Sequence, residues 1–192
     1  KRHALGVVPC GHLREEHGGG NGVLVPYIVT QHIAVGLLVG EDDLAFAGCL
    51  QRILLFRVDF ILGTDPDSDR VGIMVRGADG KFIPVTGNQT GVLLLDYLIG
   101  AMRRAGKMPA NPVFLKTIVT TEMARKVAES NGVTCYDTFT GFKFMAEKKN
   151  ALEAAGEGHV IMSYEESYGY MLGDYVRDKD AVTASLLLTE MT

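Results

Sequence analysis

The rhythm of apolar and polar positions changes near residue 58. Upstream, residues 1–57 show no sustained period, and strands fit only around Val23–Val29 and His32–Leu38. Downstream, an apolar run Val58–Leu62 reads as a buried strand, followed by a polar hexapeptide and a second strand at Val71–Arg76. Ala78-Asp79-Gly80-Lys81 carries a hairpin turn signal leading into a strand at Phe82–Val85. The spacing of Val92, Leu95, Leu98, Ile99 and Met102 predicts an amphipathic helix over Thr90–Ala105.

From there helix and strand alternate. Val113–Thr117 is a strand, and Thr120-Thr121-Glu122 caps a helix that runs to Ser130 and stops at Asn131-Gly132. A strand at Val133–Asp137, a helix over Gly141–Ala154, a strand at His159–Ser163 and a final helix from Asp180 complete the pattern. Strand–helix alternation with short connections predicts an α/β class: a layered mixed sheet with flanking helices, preceded by a partial second α/β domain. In such sheets ligands sit beyond the carboxyl ends of the strands.

Composition narrows the function classes. The 192 residues are 47% apolar, enough for a sizeable core, and carry a net charge of −4. That balance offers no electrostatic case for nucleic acid or an anionic membrane as partner. Only three cysteines occur, Cys10, Cys49 and Cys135, widely spaced and with no disulfide framework or CxxC metal pair, which fits a reducing cytosol. The longest apolar stretch, Val23–Gly40, is broken by Pro26, Gln31 and His32 and falls short of a membrane span. The first residue is not Met, and the last lies in an apolar, helix-like run without a stop signal, which reads as a fragment.

The candidate chemistry lies in loops after strands. Asp65-Pro66-Asp67-Ser68-Asp69-Arg70 alternates three carboxylates with other residues, which throws them toward one side of an extended loop. Close like charges repel unless a cation sits among them, and oxygen-only ligands suit a hard ion such as Mg²⁺. Arg70 adds a fixed positive fork suited to phosphate. A solvated acidic turn fits the same hexapeptide. A calcium-binding helix–loop–helix does not, because its sixth and twelfth positions are Arg70 and Arg76 rather than Gly and Glu. Thr140-Gly141-Phe142-Lys143 opens a helix where backbone and anion can approach closely, and an ordinary helix start fits it too. Tyr164-Glu165-Glu166-Ser167-Tyr168-Gly169 places paired carboxylates beside a hydroxyl, a set that can grip sugar hydroxyls; a polar turn is the plain alternative. Arg177-Asp178-Lys179-Asp180 offers a lysine for phosphate binding or acid chemistry, or a capping run for the last helix.

Taken together, these loops resemble the α-D-phosphohexomutase family of phosphoglucomutases and phosphomannomutases. Thr64–Arg70 is similar to its metal-binding loop, Phe139–Phe144 to its TGxK-type loop, Glu165–Gly169 to its sugar-recognition loop and Val176–Asp180 to the segment after it. Thr86–Gly91 resembles the passage from its second to its third domain. The resemblance implies a metal-loop domain ending over 58–87 and a sugar-binding domain over 88–192, with 1–57 unassigned; a wrong reading frame would account for that segment's different character. It also implies that Asp65, Asp67 and Asp69 ligate Mg²⁺, that Arg70 supports the phosphoryl group, and that Thr140, Gly141 and Lys143 line the sugar-phosphate site. Glu165 and Ser167 would bind sugar hydroxyls, and Lys179 would stand near the reacting oxygen.

The activity so implied is the interconversion of hexose 1-phosphate and hexose 6-phosphate, glucose phosphates first, through an enzyme phosphoserine and a bisphosphate intermediate. The family's T-x-S-H-N-P serine loop and R-x-S-G-T phosphate loop are not present in these residues. The expectation is therefore a mutase fragment inactive by itself. Phosphopentomutase or sugar-bisphosphate synthase activity, and a non-catalytic metal or sugar-phosphate-binding module, are the alternatives.

Overall fold

The computed structural model describes the backbone of residues 23–25 and 35–39 and the whole of residues 59–173 and 176–192. The remainder of the expected Val23–Val29 and His32–Leu38 strands lies outside the described residues, as does most of segment 1–57. The chain divides into two compact units between Val85 and Thr86.

The first unit is a five-stranded sheet of β1 (Val23–Val25), β2 (Val35–Val39), β3 (Phe60–Thr64), β4 (Val71–Arg76) and β5 (Phe82–Val85), in sequence order. β2 and β3 run parallel and the other neighbours antiparallel. β3 is buried on both faces at Phe60, Ile61 and Leu62, as a central strand should be. It starts and ends two residues later than the apolar run suggests. Its ladder with β4 carries from Phe60↔Val75 to Thr64↔Val71, so pairing rather than hydrophobicity sets its end. The acidic loop is thereby the direct connection of an antiparallel pair. The β4–β5 turn closes with Gly77 N–H donating to the Lys81 carbonyl at 2.7 Å, and Gly80 supplies the left-handed conformation at φ +80°.

The second unit has a four-stranded sheet in the order β7-β6-β8-β9: β6 (Pro112–Thr117), β7 (Thr134–Thr138), β8 (His159–Glu165) and β9 (Gly169–Leu172). The first three are parallel and β9 is antiparallel to β8. Four helices accompany it: α1 (Gly87–Arg104), α2 (Glu122–Ser130), α3 (Phe142–Ala155) and α4 (Ala181–Met191). α1 begins three residues before the expected Thr90, because Thr86 and Gln89 form a reciprocal capping box. Its buried stripe is Leu94, Leu95 and Ile99, shifted from the expected one by the inclusion of Leu94.

A bulge in β8 decides which residues face which helix. Val113 pairs with Val160, but Phe114 pairs with Met162, so Ile161 is extra. Val113, Leu115 and Val160 pack with Phe142, Met145 and Leu152 of α3. On the other face Tyr164 stacks near Phe114, ring centroids 5.6 Å apart, and lies against Gly91 of α1. Among the described residues no helix is long and apolar enough to cross a membrane.

β9 corrects an expectation. Residues 164–169 do not form one loop: Tyr164 and Glu165 complete β8, Glu166–Tyr168 make a tight turn, and Gly169 starts β9. Pairing with the returning strand extends β8 by two residues beyond its apolar run.

Candidate functional site

The acidic loop organises itself around one of its own carboxylates. Asp65 Oδ1 accepts the backbone N–H groups of Asp69 at 3.1 Å and Arg70 at 3.0 Å, and the Asp65 carbonyl accepts Ser68 N–H at 3.0 Å. Ser68 takes a left-handed φ of +58° to make the turn. Curled in this way, Asp65, Asp67 and Asp69 each offer an oxygen within 4.8 Å of the others. An octahedral Mg²⁺ sphere places neighbouring oxygens roughly 3 Å apart, so a modest contraction onto the ion suffices and the donor set fits a hard cation. Arg70 is half exposed, with Nε 3.8 Å from Asp69 Oδ1.

In the second unit three of the predicted loops converge beyond the sheet. Gly141 (φ +109°) caps α3 from a conformation that favours glycine, and Phe142 then enters the core. The Lys179 ammonium lies 5.3 Å from the centre of the Phe142 ring and 3.4 Å from Asp178 Oδ1. Its stem crosses Gly169, where an added methyl would come within 2.4 Å of Lys179 Cδ and 3.0 Å of Glu165 Oε1. Glu165, Gly169, Lys179 and Phe142 thus form one cluster. Glu165 is only 8% exposed, and Ser167 is half-buried in the adjoining turn. Thr140 is exposed at the mouth of the α3 turn. Lys143 is also exposed and directs its ammonium over Phe144, 4.9 Å from the ring centre.

Asp180 has a structural task. Its carboxylate accepts the Val182 and Thr183 N–H groups and caps α4, while its own N–H donates to the Tyr170 carbonyl at 2.9 Å. This bond ties the Lys179 segment to β9.

A second cluster escaped the sequence reading. Lys116, at the end of β6, is fully buried; its Nζ meets Glu122 Oε1 at 2.8 Å, Asp137 Oδ1 at 2.9 Å and the Thr117 and Thr120 carbonyls at 3.3 and 3.1 Å. Burial alone would depress the amine, but hydrogen bonds to Glu122 and Asp137 outweigh it and hold Lys116 above its usual value. The Lys116 and Arg125 hydrogen bonds in turn hold Glu122 below the usual carboxylate range. The Thr117 and Thr120 hydroxyls, 2.8 Å apart, donate to Glu166 Oε2 at 3.0 and 3.2 Å. The available signal was a lysine inside the apolar run Val113–Thr117 with Asp137 at the end of the next strand, and the two are cross-strand partners.

The model of the phosphoglucomutase/phosphomannomutase family, alpha/beta/alpha domain III, matches residues 86–192. A phosphoglucomutase of Staphylococcus epidermidis is 38% identical over 142 residues, which is 74% of this chain and 25% of that protein. A protein described as a phosphomannomutase from Thermus thermophilus superposes with a TM-score of 0.55 at 25% identity, over 76% of this chain and 30% of that one. The parafusin phosphoglucomutase of Paramecium shares the fold, with a TM-score of 0.52 at 23% identity over 77% and 24% of the two chains. The chain therefore spans about a quarter of the length of the curated relatives it matches. With the α/β/α unit matched over more than half the chain, this protein belongs to the phosphoglucomutase/phosphomannomutase family.

Proposed function

We propose that this chain supplies the metal loop and the sugar-phosphate-binding domain of a hexose-phosphate mutase. Residues 58–87 would be the end of the metal-loop domain and 88–192 the sugar-binding domain. The observation that carries the reading is the convergence of Glu165, Gly169, Lys179 and Phe142 beyond the sheet of the unit that the domain III model matches.

In this reading Glu165 and Ser167 hold sugar hydroxyls, a carboxylate accepting and a hydroxyl doing both. Lys179, partly shielded over Phe142, binds the phosphate or gives a proton to the oxygen that the phosphoryl group leaves. Thr140 and Gly141 line the phosphate side, with Lys143 as an outer positive charge. Arg70 supports a phosphoryl group beside the acidic loop. Mg²⁺ held by Asp65, Asp67 and Asp69 would supply charge stabilisation, which together with positioning is most of what phosphoryl transfer requires. The hexose phosphate would be glucose 1-phosphate or glucose 6-phosphate, the enzyme would act in the cytoplasm, and the transfer would pass through a phosphoserine and a bisphosphate.

The 192 residues contain no T-x-S-H-N-P serine, so the chain alone is expected to bind without turning over. Calorimetric titration with glucose 6-phosphate and Mg²⁺, beside a coupled mutase assay, tests this. Binding without turnover is the expected result. Turnover by the isolated chain would overturn the assignment of the nucleophile elsewhere, and absence of all binding would remove the sugar-phosphate reading. A non-catalytic binding module is favoured by the same missing serine; activity on adding the remaining domains of a relative would exclude it.

A further inference from the structure

The two carboxylates of the Glu165-Glu166 pair have different surroundings. Glu166 Oε2 is taken up by the Thr117 and Thr120 hydroxyls at 3.0 and 3.2 Å. The turn that carries those hydroxyls is fastened from beneath by Lys116 Nζ, which donates to both threonine carbonyls. The Glu166 main chain is pressed equally hard: a methyl added to Gly87 would meet the Glu166 carbonyl oxygen at 2.1 Å. The Tyr170 hydroxyl donates to the Gly87 carbonyl at 3.2 Å, closing the ring of contacts from β9. Glu165, by contrast, is 8% exposed and places its Oε1 beside Gly169 and the Lys179 stem.

The turn needs such fastening. Tyr168 sits at a φ of +69°, a left-handed conformation that disfavours a bulky residue. A short turn with a strained tyrosine relaxes unless its surroundings hold it. The Thr117–Thr120–Glu166 link joins this turn to residues 46 to 49 positions away in sequence.

The geometry points to Glu166 as a positioning residue: clamped by Thr117 and Thr120 on a turn organised by Lys116, it sets the β8–β9 turn so that Glu165 and Ser167 face the hexose phosphate, which Glu166 itself does not touch. This rests on the hexose-phosphate reading for what is presented, but the clamp stands on its own bonds. The pair is therefore one ligand and one anchor, not two equivalent sugar acceptors.

The test uses the full 192-residue chain with Thr117→Val/Thr120→Val, which removes both donors at nearly constant volume, and Thr117→Ser/Thr120→Ser, which restores them. Amide exchange over residues 166–169 and the calorimetric affinity for glucose 6-phosphate are measured together. The valine variant is expected to exchange about tenfold faster at the turn, with α3 unchanged. It is also expected to bind glucose 6-phosphate about fivefold more weakly, with the serine variant restoring both. Unchanged exchange at the turn overturns the clamp. Faster exchange with undiminished affinity overturns its role in positioning. If the parent chain does not bind glucose 6-phosphate, the hexose-phosphate reading and the presentation fall together, while the exchange data still decide the clamp. Should the valine variant not fold, Glu166→Ala removes the acceptor from the half-buried side and is read in the same way.

Discussion

Lys179 lies across Gly169 so closely that no side chain fits between them: an added methyl would stand 2.4 Å from Lys179 Cδ and 2.8 Å from Cγ. The glycine is what lets a lysine from the segment before α4 reach the Glu165 carboxylate region and the Phe142 ring.

Gly169→Ala should therefore act on Lys179 more than on the fold. The clash is with a flexible stem, and alanine is less costly than glycine to order, so unfolding free energy should change by less than about 1.5 kcal/mol. The ammonium must leave its place over Phe142. Glucose 6-phosphate affinity measured by calorimetry is expected to drop, as it would for Lys179→Met. Unchanged affinity in a folded Gly169→Ala chain would show that Lys179 is not a ligand in this position.

Gly91→Ala should do the opposite. Its methyl would meet the Tyr164 ring at 2.4 to 2.6 Å, and that ring is fully buried between Phe114 and Tyr170. The expected gain in helix propensity is about 1 kcal/mol, but overpacking against an aromatic with nowhere to move costs roughly 1–3 kcal/mol or more. Urea unfolding should show net destabilisation with an unchanged slope.

The Lys116 cluster makes stability depend on pH at both ends. Glu122 has its folded value below the ordinary 4.5, so its contribution is present above that pH and is lost as pH falls through the folded value. Lys116 has its folded value above 10.5, so its contribution is full below 10.5 and is lost as pH rises beyond the folded value. Lys116→Met should shorten both limbs. Near neutral pH it should destabilise the fold, because one partner of a buried pair is removed, but by less than the roughly 3–5 kcal/mol of a fully buried broken pair, since Glu122 and Asp137 are partly exposed and keep Arg125 as partner. Urea midpoints at acid, neutral and alkaline pH measure all three, and a steeper alkaline loss in the variant would contradict the assignment.

Within the acidic loop the carboxylates should separate by role. Asp65 holds the loop through two backbone N–H groups, while Asp67 is exposed. Asp67→Ala should weaken Mg²⁺ binding in a calorimetric titration and leave metal-free stability within about 0.5 kcal/mol. Asp65→Ala should weaken binding and also cost about 1–2 kcal/mol without metal, because the loop loses its internal acceptor. Equal metal-free stability of the two variants would refute this division.

Local signals sufficed where a few neighbouring residues decide the outcome. Val71–Arg76 and Phe82–Val85 are strands as their pattern predicts, and Thr121 caps α2, which stops at Asn131-Gly132. The early start of α1 was missed by the apolar spacing, which begins it at Thr90, although Thr86 and Gln89 spell a capping box. Extension of β8 to Glu165 and the existence of β9 were not legible, because both depend on a strand partner. Nor was the role of Lys116 or Glu166: a charge in an apolar run acquires meaning only from carboxylates and hydroxyls brought to it across the sheet.

By itself the sequence determined the α/β alternation, the caps and turns, and the chemistry stored in each loop, because these follow from contacts within a turn or a strand. Tertiary structure alone decided that Ile161 bulges and turns Met162 and Tyr164 toward Phe114, that Lys179 rests on Gly169, and that Glu165 and Glu166 part company. Each of these depends on register between segments distant in sequence. A one-residue shift in register exchanges the faces of a strand, and no local pattern of hydrophobicity specifies which partner atoms will then be waiting.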